Sequence, residues 1–134
     1  MANTFKVFTI ADVAVDSGTF STLYTAGTGV TSVVLGLNIA NKTSSDRDVT
    51  VKLESNTSNR TGSNDANNEN VTLLNEVSVP ADTTLEVFAG QKLVVETTDV
   101  ITIGASAGSA LDATLSVMEI TQCHILVQNQ QIKH

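Results

Sequence analysis

The chain has very few of the side chains from which most catalytic and metal sites are built. Its 134 residues include one cysteine, Cys123, and two histidines, His124 and His134. One thiol cannot form a disulfide within the chain, and two imidazoles leave most zinc sites and most histidine-activated nucleophiles incomplete. The sequence therefore predicts a protein that is not an enzyme and that has no metal site and no other cofactor.

Large aromatic side chains are also scarce. Tryptophan is absent, and aromatic residues make up 4% of the chain. Small β domains commonly use such rings to fill their cores, because each ring buries a large apolar area. Without them, the free energy that a lone domain gains by burying its apolar side chains would exceed the conformational entropy cost of folding by only a narrow margin. The composition therefore favours a protein that associates with other subunits.

Basic residues are outnumbered, since 7 Lys and Arg stand against 14 Asp and Glu and give a net charge of −7. This charge repels phosphate backbones, so we expect no nucleic-acid partner. No apolar run approaches the roughly 18 residues of a membrane-spanning helix, and the first residues lack the basic start and apolar stretch of a signal peptide. We therefore expect no membrane partner, and synthesis in a cytoplasm without export.

Apolar and polar side chains alternate along most of the chain, with the period of two that places every second side chain on one face of a strand. The pattern predicts an all-β protein with almost no helix, an antiparallel β-sandwich (jelly-roll-like or Ig-like) of about 8 short strands. The positions predicted to face its core are Val33, Leu35, Leu37, Ile39, Val49, Val51, Leu53, Val71, Leu73, Val77, Leu85, Val87, Leu93, Val95, Ile101, Ile103, Leu111, Ala113, Leu115 and Val117.

Turn-forming residues separate these runs at 79–83, 89–91, 97–99 and 107–109. From residue 71 onward the short runs and turns predict a meander of hairpins. Residues 1–121 are predicted to form one sandwich domain. Residues 122–134, which begin with Gln122 and contain the apolar trio 125–127, are predicted to be either an arm that adds a strand to a neighbour or a last strand of the chain's own sheet.

The polar stretch 55–70 contains six asparagines and no apolar side chain larger than that of Ala66. It predicts a long exposed loop, which is either a contact surface or a tolerated solvent loop. Asp65, Asn67, Glu69 and Glu76 superficially resemble a calcium loop. Asn70 stands where that loop needs glycine, so we expect no calcium there.

Three further motifs are weak. Asn-x-Ser/Thr triplets begin at residues 41, 56, 59 and 70, but without export they would not be glycosylated. Cys123 and His124 are neighbours, and neighbours on a strand point to opposite faces, which argues against a catalytic pair. Residues 104–108 form a G-x-S-x-G pattern around Ser106, but a nucleophile elbow needs a strand-to-helix turn, so we interpret this pattern as a hairpin of small residues.

Aromatic residues cluster near the front of the chain. Phe5, Phe8, Phe20 and Tyr24 all lie within residues 1–29. They are predicted either to belong to the core of the first two strands or to form a docking surface.

Four segments resemble small virion structural proteins of tailed bacteriophages. They are VVLGLNIAN (33–41), VPADTTL (79–85), KLVVETTD (92–99) and LDATLSVMEI (111–120). The likeness extends over roughly residues 20–121. It implies a β-sandwich subunit of the virion, most often multimeric, that decorates the capsid as a cement protein or belongs to the neck or tail, with other virion proteins as partners and a homo-oligomer, with a trimer favoured. A carbohydrate- or surface-binding module is the alternative, although such sites usually expose Trp or Tyr.

Overall fold

In the computed structural model, the described residues are 2–17, 20–57, 69–88 and 90–121. They form nine β-strands and no helix, which confirms the all-β prediction with one strand more than expected. The strands are β1 (Ala2–Ile10), β2 (Ser21–Thr25), β3 (Val30–Asn41), β4 (Arg47–Ser55), β5 (Glu69–Val79), β6 (Thr84–Glu86), β7 (Leu93–Val95), β8 (Val100–Ala105) and β9 (Leu111–Thr121).

The strands form two antiparallel sheets that face each other as a β-sandwich. The first sheet has the order β1-β9-β3-β6, and β7 pairs with β3 beyond the end of β6. The second sheet has the order β2-β8-β4-β5. The alternating pattern placed one apolar face of each sheet inward, so the two faces bury each other and the sandwich prediction is confirmed.

The core lies between the sheets and consists mainly of valine, leucine and isoleucine. Leu111, Ala113, Leu115 and Val117 on β9 are all buried, as the alternation of this strand predicted. Val49, Val51 and Leu53 on β4 meet them from the second sheet. The two central strands therefore supply much of the packing.

The prediction for the first half of β3 was wrong, because its alternation changes phase. Val33 is half-buried and Leu35 is 40% exposed, whereas Val34 is fully buried. The pairing of β3 with β9 shifts register between Val34 and Gly36, which is the signature of a β-bulge. The extra residue turns Leu35 outward and returns Leu37 to the core, as predicted for the second half of the strand.

The meander predicted from residue 71 onward was also wrong. β5 pairs with β4, β6 and β7 pair with β3, and β8 pairs with β2 and β4. Consecutive strands of this region therefore do not form hairpins with each other. Residues 104–108, interpreted as a hairpin, instead end β8 in one sheet and lead to β9 in the other.

The ends of β5 also differ from the prediction. Val71 is 37% exposed although it was expected to face the core, because β5 lies at the edge of its sheet and is only partly covered. Val79, which was assigned to a turn, is the last residue of β5 and is fully buried. The predicted turn follows it, with the Thr83 amide donating to the Pro80 carbonyl at 3.2 Å.

Candidate assembly surface

β1 is an open edge of the first sheet. Its nine residues pair with β9 without a register shift, from Ala2 opposite Thr121 to Ile10 opposite Ala113. Within the described ranges, no strand pairs with the other side of β1. A regular strand with one unpaired side presents a row of backbone N–H and C=O groups to any extended chain that approaches it. β1 is therefore a template for strand addition.

A row of apolar side chains crosses the outer face of the same sheet. Phe5 on β1 lies opposite Met118 on β9, Met118 opposite Val33 on β3, and Val33 opposite Val94 on β7. Phe5 is 72% exposed and Val94 is 47% exposed. Side chains that are directly opposite on paired strands share a face and touch. We call the four residues Phe5, Met118, Val33 and Val94 the apolar row.

Further apolar side chains flank the apolar row. Val7 on β1 is 63% exposed, and Leu35 projects from the bulge of β3. Beside Leu35 lies a shallow depression of about 240 Å³, which Asn38, Glu86 and Phe88 also line. Large contiguous apolar patches are uncommon on monomeric soluble proteins and mark contact sites. The apolar row, with Val7 and Leu35 beside it, gives the outer face of the first sheet an exposed apolar band.

The two edge strands of the second sheet are less suited to accept a partner. β5, at one edge of the second sheet, makes two register shifts against β4. Its Glu76 has a positive φ of 50°, and Glu69 and Glu76 are exposed. β2, at the opposite edge, has five residues and a register shift of its own. Bulges, charges and short length are the features that protect an edge from further pairing.

A polar cluster of three buried side chains and the partly exposed Lys6 lies at β1 and joins the two sheets. The Tyr24 hydroxyl, from β2, donates to Glu119 Oε2 on β9 at 2.6 Å and also contacts the Ser32 hydroxyl on β3. Lys6 Nζ on β1 lies 2.9 Å from Glu119 Oε1. Each carboxylate oxygen therefore has a partner, and β1, β2, β3 and β9 are held at one point. We call Lys6, Tyr24, Ser32 and Glu119 the inter-sheet cluster.

The cluster shifts the ionisation of its members. Burial, followed by the hydrogen bond to Glu119, raises the pKa of Tyr24 to about 12. The hydrogen bond from Tyr24, followed by that from Lys6, holds the pKa of Glu119 below its usual range. The tyrosine is therefore neutral and the glutamate charged at neutral pH, which is the state in which the hydroxyl donates and the carboxylate accepts.

The aromatic residues of the front of the chain divide between the two predicted roles. Tyr24 is 2% exposed, and its ring lies 4.7 Å from that of the half-buried Phe8. Phe20 is half-buried beneath the ammonium of Lys52, which lies 4.6 Å from the centre of its ring. Phe5 faces solvent.

The chain has no tryptophan, and its single tyrosine is buried. The carbohydrate-binding alternative therefore lacks the exposed Trp or Tyr ring on which sugars usually stack at such sites.

A charged cluster joins the segments that follow β1 and β3 to the start of β9. The Lys42 ammonium contacts Asp12 and lies 2.9 Å from Asp112 Oδ1, which also accepts from the Asp12 amide at 2.9 Å. The amide of Asp12, followed by Lys42, lowers the pKa of Asp112. Hydrogen bonds to Asp12 and Asp112 raise the pKa of Lys42. These groups are exposed, and their contacts fasten the segment after β1.

The described motif residues have structural roles. The Ser106 hydroxyl accepts from the Asp48 amide at 2.9 Å, and the Ser106 amide donates to the Asp48 carbonyl, so this serine fastens a strand end. The Asn41 amide group donates to the Ser45 and Val79 carbonyls at 2.8 and 2.9 Å. Glu69 and Glu76 lie on β5.

Several predicted positions lie outside the described residues. They are Asn59, Asp65, Ala66, Asn67, Cys123, His124 and His134, together with the rest of residues 58–68 and 122–134. Among the residues that the structure does describe, no group of three or more His, Cys, Asp or Glu side chains could hold a metal ion. The described segments also contain no helix with the length and hydropathy needed to cross a membrane.

The sequence contained a signal for β1 that the alternation rule did not use. Phe5 and Val7 fall on one face of a strand, and Phe8 and Ile10 fall on the other. A strand with apolar side chains on both faces is either covered on both or exposes one apolar face. For β1 the second case holds, since Phe8 and Ile10 pack against the core while Phe5 and Val7 do not.

Comparisons with known proteins give a weak likeness to solved structures. No protein-family model and no curated protein matches the chain. The Bacillus endospore appendages, described as disulfide-linked pili, are 14% identical with a TM-score of 0.47, over 89% of this chain and 88% of that one. The chain of the IBDV viral particle is 12% identical with a TM-score of 0.48, over 87% of this chain and 30% of that one. The chain of the infectious bursal disease virus VP2 subviral particle is 13% identical with a TM-score of 0.45, over 87% of this chain and 32% of that one. The chain thus spans about a third of the viral chains it matches, and these scores carry no conclusion about its role.

Proposed function

We propose that the protein is a structural subunit of a tailed phage particle, a capsid decoration or cement protein made in the host cytoplasm and located in the virion. In this proposal, residues 1–121 are one sandwich domain and residues 122–134 are an arm. The subunits associate with each other, most simply as a trimer, and with other virion proteins. Their contacts are the strand edge of β1, the apolar row and the arm.

The observation that carries this proposal is the combination of an open edge and an apolar outer face on one sheet. Phe5 and Val7 project from β1 itself, and the apolar row continues from Phe5 to Val94. Leaving such a surface in water costs free energy, which a neighbouring subunit would recover by covering it. Symmetric assemblies reuse one such surface on every copy.

The polar groups support a structural rather than a catalytic role. In the described segments, Ser106, Tyr24 and Glu119 make hydrogen bonds that hold strands together. Those three groups are therefore engaged in packing and not aimed at a shared cavity. The net charge of −7 would also keep free subunits from adhering to the genome during assembly.

The close alternative is a neck or tail component, because the same surface would serve a ring or tube as well as a capsid lattice. The two roles differ in copy number and position. A head protein repeats over the icosahedral surface, whereas a neck or tail protein repeats around one axis.

Mass spectrometry of purified particles of the source phage tests virion membership. We expect peptides of this chain at a stoichiometry that fits a symmetric assembly. Electron microscopy of the same particles, with a tag on the protein, then assigns it to the head or to the neck and tail. Its absence from intact particles would contradict the proposal.

A further inference from the structure

We infer that residues 122–134 of one copy add a strand to the open edge of β1 in a second copy, running antiparallel to β1. The inference rests on the proposed assembly function and names the edge and the segment that carry it.

The position where β9 ends favours a second copy over the chain's own β1. Thr121 lies opposite Ala2, at the start of β1, and opposite Val30 on β3. To reach its own β1, the chain after Thr121 would have to reverse around Ala2, and it would then run parallel to β1. Antiparallel pairs outnumber parallel pairs in proteins, and parallel neighbours need long connections. The β1 of a second copy imposes no such reversal.

The side chains of the segment match those of the edge. Ile125 and Val127 are two residues apart, as are Phe5 and Val7. An antiparallel register with Ile125 opposite Val7 places Val127 opposite Phe5, so that all four share the outer face. Val127 then extends the apolar row by one strand. A shift by one residue would turn both of these side chains to the other face and leave Leu126 as the one apolar side chain of the trio on the outer face, so the pattern favours this register over that shift.

The dimensions of the segment also fit. β1 has nine residues and therefore spans roughly 30 Å. Fully extended, residues 122–134 reach roughly 40 Å, which is long enough to cover the whole strand.

The proposed register makes a specific prediction for thiol cross-linking, because Cys123 is the only cysteine of the chain. With Ile125 opposite Val7, Cys123 lies opposite Thr9. In the full chain, Thr9→Cys should therefore give disulfide-linked dimers and longer chains on mild oxidation. Asn3→Cys, at the other end of the same exposed strand, is the matched variant and should give few.

Other cross-linking patterns would overturn the inference. Equal dimer yields from Asn3→Cys and from Thr9→Cys would show that Cys123 does not select the predicted position on β1. Equal dimer yields from Thr9→Cys and from Val71→Cys, on the edge strand β5, would show that Cys123 reacts without a specific site.

Variants of the segment give a second measurement. Ile125→Lys in the full chain should weaken self-association by about tenfold, because it places a charge where an apolar side chain would be covered. Val71→Lys, on the edge strand β5 of the second sheet, should leave association unchanged. A synthetic peptide of residues 122–134 with Cys123→Ser should lower the yield of Thr9→Cys dimers.

The outcomes separate this inference from the proposed function. If the full chain self-associates but Thr9→Cys does not cross-link to Cys123, the inference is wrong and assembly through another surface stands. If neither the unmodified chain nor the Thr9→Cys chain self-associates, both are wrong.

Discussion

Glu119 is one residue through which the stability of this fold responds to acid. It is 8% exposed, and its two oxygens accept from Tyr24 and Lys6. Its pKa is lower in the folded chain than its ordinary value of 4.5. The unfolded chain therefore binds the proton more tightly, and the stability from this group is present above the ordinary pKa and lost as the pH falls through the folded pKa.

Glu119→Gln should make the free energy of unfolding depend less steeply on pH in the acid range. As the pH falls through and below the ordinary pKa of Glu119, we expect the free energy of unfolding of the unmodified chain to fall more steeply than that of the variant. Urea unfolding at a series of pH values measures this difference. The exposed Glu86→Gln is the matched control, and an equally steep acid limb for Glu119→Gln and the unmodified chain would contradict the assignment.

Asp99 is the second residue whose side chain organises backbone. It is fully buried, and its Oδ1 accepts from the amides of Asn56 and Thr57 at 2.8 and 2.9 Å. Its Oδ2 accepts from the Glu96 amide at 3.0 Å. One carboxylate thus connects the end of β4 with the turn before β8.

Asp99→Ala should lower the free energy of unfolding by about 1–3 kcal/mol, because it leaves these amides without their acceptor. Asp46→Ala is the matched control, since Asp46 is exposed and accepts one amide, from Ala81. Chemical denaturation of both variants gives the comparison. Equal losses of stability would show that burial of the acceptor does not matter here.

At the scale of elements, the segment between β1 and β2 is fastened along β8. The Asp16 amide donates to the Ala105 carbonyl at 2.9 Å, and the Ala105 amide donates to the Ala14 carbonyl at 3.0 Å. Gly104 allows this approach. A Cβ atom at Gly104 would lie 2.6 Å from Asp16 Cβ and 3.1 Å from the Phe20 ring.

Gly104→Ala should therefore cost about 1–3 kcal/mol, since backbone must move to admit the methyl group. Gly36→Ala serves as the control, because a Cβ at Gly36 meets nothing within 4 Å. Thermal unfolding should show a lower midpoint for the first variant and little change for the second. A Gly104→Ala midpoint equal to that of the unmodified chain would contradict the close approach.

Elements differ in how well the sequence predicted them. β9 was predicted correctly because its apolar positions alternate without interruption from Leu111 to Val117. The first half of β3 was not, because Val33, Val34 and Leu35 are all apolar and the bulge that selects Val34 depends on pairing with β9. The meander failed for the same reason, since alternation fixes the faces of a strand but not its neighbours.

The candidate surface was predicted only in outline. Association was expected from composition and resemblance, and residues 122–134 were one candidate for adding a strand to a neighbour, but the accepting edge was not assigned to β1. That assignment requires the strand order, which the alternation of residues 2–10 does not contain. Glu119 was likewise not singled out, because its partners Tyr24 and Lys6 are distant in sequence.

At the scale of the whole molecule, the sandwich has a protected side and an open side. The second sheet ends in a bulged, acidic strand and a short one, whereas the first sheet ends in the regular strand β1 with Phe5 and Val7 exposed. This asymmetry is the physical basis of the proposed assembly, since a regular edge beside exposed apolar side chains favours strand addition and a bulged, charged edge does not.

Sedimentation equilibrium of the full chain, up to high micromolar concentration, tests this central claim most directly. The account predicts reversible self-association that is weakened by Phe5→Lys and by Val7→Lys, at positions 72% and 63% exposed, without loss of the folded state. Val71→Lys on β5 should associate like the unmodified chain. A chain that stays monomeric at every concentration, or variants of β1 that associate as well as Val71→Lys, would contradict it.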